Sequence, residues 1–206
     1  MNKRTKKIDA SNKRIIMIAV YEVSTFIEWL IADKATGRKF NRHTMREGGS
    51  GQLEGPAAEY AFDRWCEDNW LIRQYVGNDK TFIDFVVGET DRKYGIDVKA
   101  KKRSGRANVQ RGCSCHVELR LEQENCHMYV FASCTGNIVE MLGWMAKKEF
   151  WQRCKRVTKG QVTDGLTEVA DAGKIEAKEL RPMSDLANQL MGELWKANTR
   201  CLQNRA

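Results

Sequence analysis

The 206-residue sequence predicts a single α/β domain built on a central β-sheet. Three observations carry that expectation. Residues 70–144 hold a succession of short period-two segments rich in β-branched and aromatic side chains. Helix-period apolar patterns flank this run, at 15–31 and 57–65 before it and at 186–194 after it. The chain is long enough to bury a substantial core without disulfides or a structural metal, and its two prolines argue against long unstructured linkers.

The elements follow in order. Residues 1–13 are polar and basic and read as an arm. From Arg14 onward Ile15, Ile18, Ala19, Val23, Phe26, Ile27, Leu30 and Ile31 recur at helical spacing, predicting one helix that ends near Thr36-Gly37. Basic residues followed by Gly48-Gly49-Ser50-Gly51 predict a loop over 39–51. A second helix is expected over 55–68, with Pro56 in its first turn and Ala57, Ala58, Ala61, Phe62 and Trp65 as its buried stripe. Strands are expected at 70–76, 81–88, 94–101, 117–121, 128–133 and 138–144, then a helix at 147–153. Residues 156–180 read as polar and irregular, and Ser184 as the N-cap of a final helix carrying Leu186, Leu190 and Leu194. The organisation expected is a basic arm, helix and loop over 1–50 and a core with a C-terminal helix over 51–206.

Composition narrows the function. A net charge of +8 attracts polyanions, of which nucleic acid is the commonest. No stretch reaches the roughly 20 uninterrupted apolar residues of a membrane span, because Tyr21, Glu22, Ser24, Thr25 and Glu28 break the most apolar segment. That segment also lacks a small-residue cleavage site, so neither a membrane partner nor a signal peptide is expected. Seven irregularly spaced cysteines fit a reducing compartment, and the expected location is cytoplasmic, in the host if the chain is viral.

The residues that carry chemistry lie between 59 and 99. Asp84 is a lone carboxylate in the apolar strand Thr81-Phe82-Ile83-Asp84-Phe85-Val86-Val87, where burial is costly unless it is paired or holds a metal. In Tyr94-Gly95-Ile96-Asp97-Val98-Lys99-Ala100, strand periodicity puts Asp97 and Lys99 on one face and Ile96, Val98 and Ala100 on the other. Pairing of these two strands would bring Asp84, Asp97 and Lys99 together. Two carboxylates suit Mg²⁺, a hard cation that prefers oxygen, with the Val98 carbonyl as a further ligand and Glu59 of the preceding helix as an auxiliary one. Lys99 would position an attacking water and offset developing charge on a phosphate. Glu54 and Glu67 compete with Glu59 for its place, and a solvated edge-strand face is the bland reading of Asp97 and Lys99.

At these positions the sequence resembles the PD-(D/E)XK, or restriction-endonuclease-like, nuclease superfamily: a helix-borne Glu, a strand Asp, then Asp/Glu-x-Lys on the next strand. Glu59, Asp84 and Asp97-Val98-Lys99 occupy that pattern, with Ile83 where a proline is usual. Residues 128–132, 138–144 and Lys147-Lys148-Glu149-Phe150 look like the later strands and helix, and 180–186 is similar to the closing segment of small members, many of them phage-encoded. The likeness spans 51–194. It implies a three-layer core, a mixed central sheet flanked by helices, here with an N-terminal helical extension. The implied activity is Mg²⁺-dependent DNA endonuclease cleavage, Mn²⁺ being a substitute, of a branched-junction, repair or restriction kind. By analogy alone the long N-terminal helix would serve a homodimer.

Lys101, Lys102, Arg103, Arg106 and Arg111 follow the motif directly and are the expected grip on DNA phosphates, the alternative being a solvated loop. Asn108 and Gln110 lie in the same loop. Two other functions compete. One is a catalytically silent member that binds nucleic acid or a partner protein. The other is a zinc-stabilised module using Cys113, Cys115, His116, Cys126 and His127, whose spacing is a weak match to zinc sites, so free thiols are the preferred reading. His43 has no evident triad partners, and Trp65, Trp144 and Trp151 read as packing residues.

Overall fold

The computed structural model describes residues 19–22, 54–76, 83–88, 93–107, 109, 112–163, 166–167 and 170–192. Their centre is a mixed six-stranded sheet in an α/β arrangement. Its strands are β1 (Ala19–Glu22), β2 (Arg73–Tyr75), β3 (Phe85–Val87), β4 (Tyr94–Lys102), β6 (Met128–Thr135) and β7 (Ile138–Ala146). The spatial order is β1-β7-β6-β4-β3-β2. Only β4 and β6 run parallel, with Asp97 opposite Tyr129 and Lys99 opposite Phe131. The middle strands β6 and β7 are buried along nearly their whole length, as expected for strands covered on both faces.

Helix α1 (Glu54–Asp68) lies on one face, as its alanine-rich stripe predicts. Ala57, Ala58 and Ala61 let the helix approach closely, and Phe62 meets Phe85 edge-on at 5.0 Å. The helix closes with Leu71 N–H on the Cys66 carbonyl and Trp70 N–H on Glu67, both at 3.0 Å. This is a Schellman closure, and it places Trp70 at φ +56, where glycine is usual. A second helix, residues 183–192, covers the same face with Met183, Leu186, Ala187 and Leu190. It begins just after Pro182, so Ser184 falls in its first turn rather than at the cap. The preceding chain is bridged to β7 by Trp144 and Arg181, and a Cβ on Gly143 would lie 2.5 Å from the Arg181 carbonyl.

The other face is covered mainly by strands. A three-stranded antiparallel sheet is formed by β5 (Ser114–Glu118), β11 (Ala172–Glu176) and β8 (Lys155–Val157), beside the short helix α2 (Lys147–Arg153). A separate pair, β9 (Val162–Thr163) and β10 (Leu166–Thr167), completes the strands. Residues 156–180, expected to be irregular, therefore hold four strands or parts of strands. Their polar outward positions hide the pattern, while Val157, Ala172 and Ile175 point inward. The crossover from β4 to parallel β6 carries β5 and a 3₁₀ turn, Leu119–Gln123, so the strand expected at 117–121 ends at Glu118.

The N-terminal helix needs correction. Ala19–Glu22, inside the expected helix, is an edge strand paired antiparallel with β7 from Ala19–Met141 to Glu22–Ile138. Val20 and Tyr21 suit a strand, and the free edge of β7 offers the backbone partners that outweigh a helical pattern. Tyr21 is buried and donates to Asp68 Oδ2 at 3.2 Å. The remainder of that helix, with the dimerisation assigned to it, the 39–51 loop and His43 lie outside the described residues. Among the described helices none is long and apolar enough to cross a membrane.

Candidate active site

Strands β3 and β4 pair antiparallel, with Phe85 opposite Ile96. The strand expected at 81–88 starts regular pairing only at Phe85, because Asp84 sits in a bend. Ile83 packs on one face of the sheet and Phe85 on the other, so alternation breaks at Asp84. The bend turns the carboxylate toward β4, where Asp84 Oδ2 accepts the Val98 N–H at 2.7 Å. Asp84 N–H donates to the Ile96 carbonyl at 3.0 Å. Successive even residues of a strand present their backbone groups to the same side, so the Val98 carbonyl opens toward Asp84 as well.

Asp97 is buried on the face opposite Val98, and its Oδ2 lies 2.6 Å from Lys99 Nζ. Strand alternation thus delivers Asp97 and Lys99 side by side, as the sequence predicts. The two carboxyls lie near enough for the charge of Asp97 to disfavour that of Asp84. Although Asp84 keeps some exposed surface, its carboxyl is enclosed, and burial raises its pKa well above the ordinary range. Glu59 and Asp97 raise it further, while Lys99 and the Val98 N–H oppose them. Burial likewise raises Asp97, against the pull of Lys99. Burial disfavours the charge on Lys99, but Asp97 and then Asp84 outweigh it and hold the ammonium above its usual pKa.

Glu59 reaches the site from α1, on the other side of the sheet from Asp97. Its Oε2 accepts from Tyr75 OH at 2.8 Å, and its charge acts directly on Asp84. The competitors are engaged elsewhere: Glu54 pairs with Lys102 at 3.3 Å, and Glu67 with Arg64. Sequence reasoning did not identify Tyr75 as a support for Glu59, since a tyrosine in a short strand carries no signal of its own.

The basic residues after the motif brace the fold. Lys101 Nζ contacts Ser114 Oγ at 3.4 Å, and Arg103 donates to the Ser114 carbonyl at 2.8 Å. Arg106 pairs with the buried Glu140 at 2.9 Å, and Ala107 N–H donates to the same carboxylate at 2.7 Å. Arg111, Asn108 and Gln110 lie outside the described residues. Sequence reasoning missed Glu140, which sits in an apolar strand as Asp84 does, but on β7.

Cys113, Cys115 and Cys126 are buried free thiols, and burial raises each pKa, that of Cys126 to about 12. The histidines of that group turn to other partners: His116 Nε2 to Ser114 Oγ at 3.1 Å, and His127 Nδ1 to the Gly95 N–H at 2.9 Å.

Among the described residues no three His, Cys, Asp or Glu side chains already stand in a metal-holding group. The chemistry of the donor set nevertheless fits a divalent cation. Two enclosed carboxyls stand on neighbouring strands, the Glu59 carboxylate acts on Asp84, and a single lysine offsets the charge. A cation held between the carboxyls would relieve their mutual repulsion. No protein-family model matches this chain, and none of the curated proteins is significantly similar to it.

Proposed function

We propose that this protein is a Mg²⁺-dependent nuclease of the restriction-endonuclease-like kind that hydrolyses DNA phosphodiesters. The observation that carries the reading is the convergence of Asp84, Asp97 and Lys99, tied together by the Val98 N–H. A Glu-bearing helix ahead of a mixed sheet, with the two acidic positions at one strand junction, supports it further.

Asp84, Asp97 and the Val98 carbonyl would hold the cation, with Glu59 as the outer carboxylate that Tyr75 keeps in place. When bound, Mg²⁺ supplies charge to polarise the scissile phosphate and to favour deprotonation of water. Lys99 keeps its ammonium through the two carboxylates and so remains a donor for the water and for the phosphate oxygens. Mn²⁺ has the same preference for oxygen and is the expected substitute. The net charge of +8 favours a polyanionic substrate.

The test is cleavage of supercoiled, linear, single-stranded and four-way DNA with and without Mg²⁺. Wild-type protein is expected to cut at least one of them only with the metal. Lys99→Met is expected to lower the rate about 10²–10³-fold. Cleavage unaltered in Asp84→Ala and Lys99→Ala would refute the site. DNA binding without cleavage by any form would replace it with a silent binding protein.

A further inference from the structure

The three-stranded sheet packs one face on the core and carries basic residues on the other. Cys115 and Val117 of β5 and Ile175 of β11 are buried in the core, so alternation puts His116 and Lys174 on the opposite face. The registers align them. His116 stands opposite Lys174, and Lys174 stands opposite Lys155 of β8. Basic side chains from three strands thus form one row, with Lys155 exposed and the other two half-buried. Residues directly opposite have Cβ atoms about 4.5–5.5 Å apart, and like charges at that spacing destabilise a sheet.

The row is continuous with the candidate active site. Lys101 follows Asp97 and Lys99 on the same face of β4 by strand alternation. Its Nζ lies 3.4 Å from Ser114 Oγ, and His116 Nε2 lies 3.1 Å from the same oxygen. Polar groups therefore lead from Lys99 through Lys101 and Ser114 to His116, Lys174 and Lys155. From His116 to Lys155 the row crosses two strand spacings, about 10 Å. That length matches about three phosphates of one DNA strand, at about 3.4 Å of rise each. The nearby carboxylates are engaged elsewhere: Glu118 pairs with Arg120, and Glu176 caps the turn Ala177–Glu179.

We propose that His116, Lys174 and Lys155 form a binding track for the phosphodiester backbone of DNA, which leads the duplex to Asp97 and Lys99. This rests on the nuclease reading for the identity of the polyanion. Each lysine neutralises a phosphate and releases its counterion, and the bound strand offsets the repulsion between Lys155 and Lys174. Contacts of this kind position a duplex without reading its bases, so the track acts on any sequence.

The experiment measures binding of a labelled mixed-sequence duplex in Ca²⁺, between about 50 and 200 mM NaCl. It compares wild type, Lys155→Gln with Lys174→Gln, and a control of equal charge, Lys93→Gln with Lys148→Gln, whose lysines are exposed and off the row. The row variant is expected to bind about tenfold more weakly at about 0.1 M salt. Its slope of log K against log salt is expected to flatten by about 2, near 0.9 for each phosphate contact. Lys155→Gln alone, at an exposed position, is expected to flatten the slope by about 1. Equal weakening in the row and control variants overturns the proposal, as does an unchanged slope. Row-dependent binding of phosphatidylserine vesicles but not of DNA would give the row to a membrane surface, and overturns it too. A wild type that binds DNA through the row but cuts none with Mg²⁺ removes the nuclease reading and upholds the track. A wild type that cuts DNA, with the row variant binding as tightly, removes the track alone.

Discussion

The Val98 N–H donates to Asp84 Oδ2 at 2.7 Å, so a single backbone hydrogen bond holds the first acidic position against the strand that carries the second. An asparagine at 84 keeps this acceptor and removes the charge. Asp84→Asn is therefore expected to abolish metal-dependent cleavage and to stabilise the metal-free protein at neutral pH. The gain should be on the order of 1 kcal/mol, about 2–4 °C in Tm for a chain of this size. A lower Tm would show that the crowding of Asp84 with Asp97 and Glu59 does not cost stability.

The pH dependence of that crowding has a definite sign. Asp84 and Asp97 have raised folded pKa values, so their contribution to stability is fully present below the ordinary carboxylate range. It is lost as pH rises through the elevated values. The Tm difference between Asp84→Asn and wild type is expected to widen as pH rises from about 4, the ordinary carboxylate value. Parallel Tm curves for the two proteins would contradict this.

A cation should reverse the trend. Ca²⁺ takes oxygen ligands and is a convenient probe of binding without turnover. It is expected to raise the wild-type Tm by several degrees at pH 8, less at pH 5, and hardly at all in Asp84→Asn. Equal stabilisation of both proteins would place the ion elsewhere.

Glu140 clamps the turn after β4 by accepting from Arg106 and Ala107. Glu140→Ala leaves the Ala107 N–H without its carboxylate and Arg106 without its pair. A loss of about 1–3 kcal/mol is expected, with faster amide exchange in the 103–107 loop. Unchanged exchange there would show that the loop is held by its other ties, Arg103 to the Ser114 carbonyl and Thr135 to the Gly105 carbonyl.

Trp70 is 92% exposed and adopts a left-handed backbone at the end of α1. Trp70→Gly removes the steric cost of that conformation without emptying the core, so Tm should rise by about 2–4 °C, equivalent to about 1 kcal/mol. A fall in Tm would mean that the indole is held by packing after all.

Much of the central sheet was legible because its signals are local. The alanine and aromatic stripe of α1 and the long apolar runs of β6 and β7 mark their elements directly. The errors fall where partners decide. Ala19–Glu22 has a pattern that both a helix and a strand can bear, and the edge of β7 selects the strand. β8 and β11 alternate too briefly to stand out, and are strands because β5 and β11 complete one another's ladders.

The same division runs through the candidate site. By itself the sequence determined that Asp97 and Lys99 share a face opposite Ile96 and Val98, since alternation is a property of consecutive residues. Only the tertiary structure decided that Asp84 bends out of its strand to meet Val98, and that Tyr75 holds Glu59. These meetings depend on closing loops between remote segments and on burying charge where neighbours can compensate it, and neither is written in local periodicity.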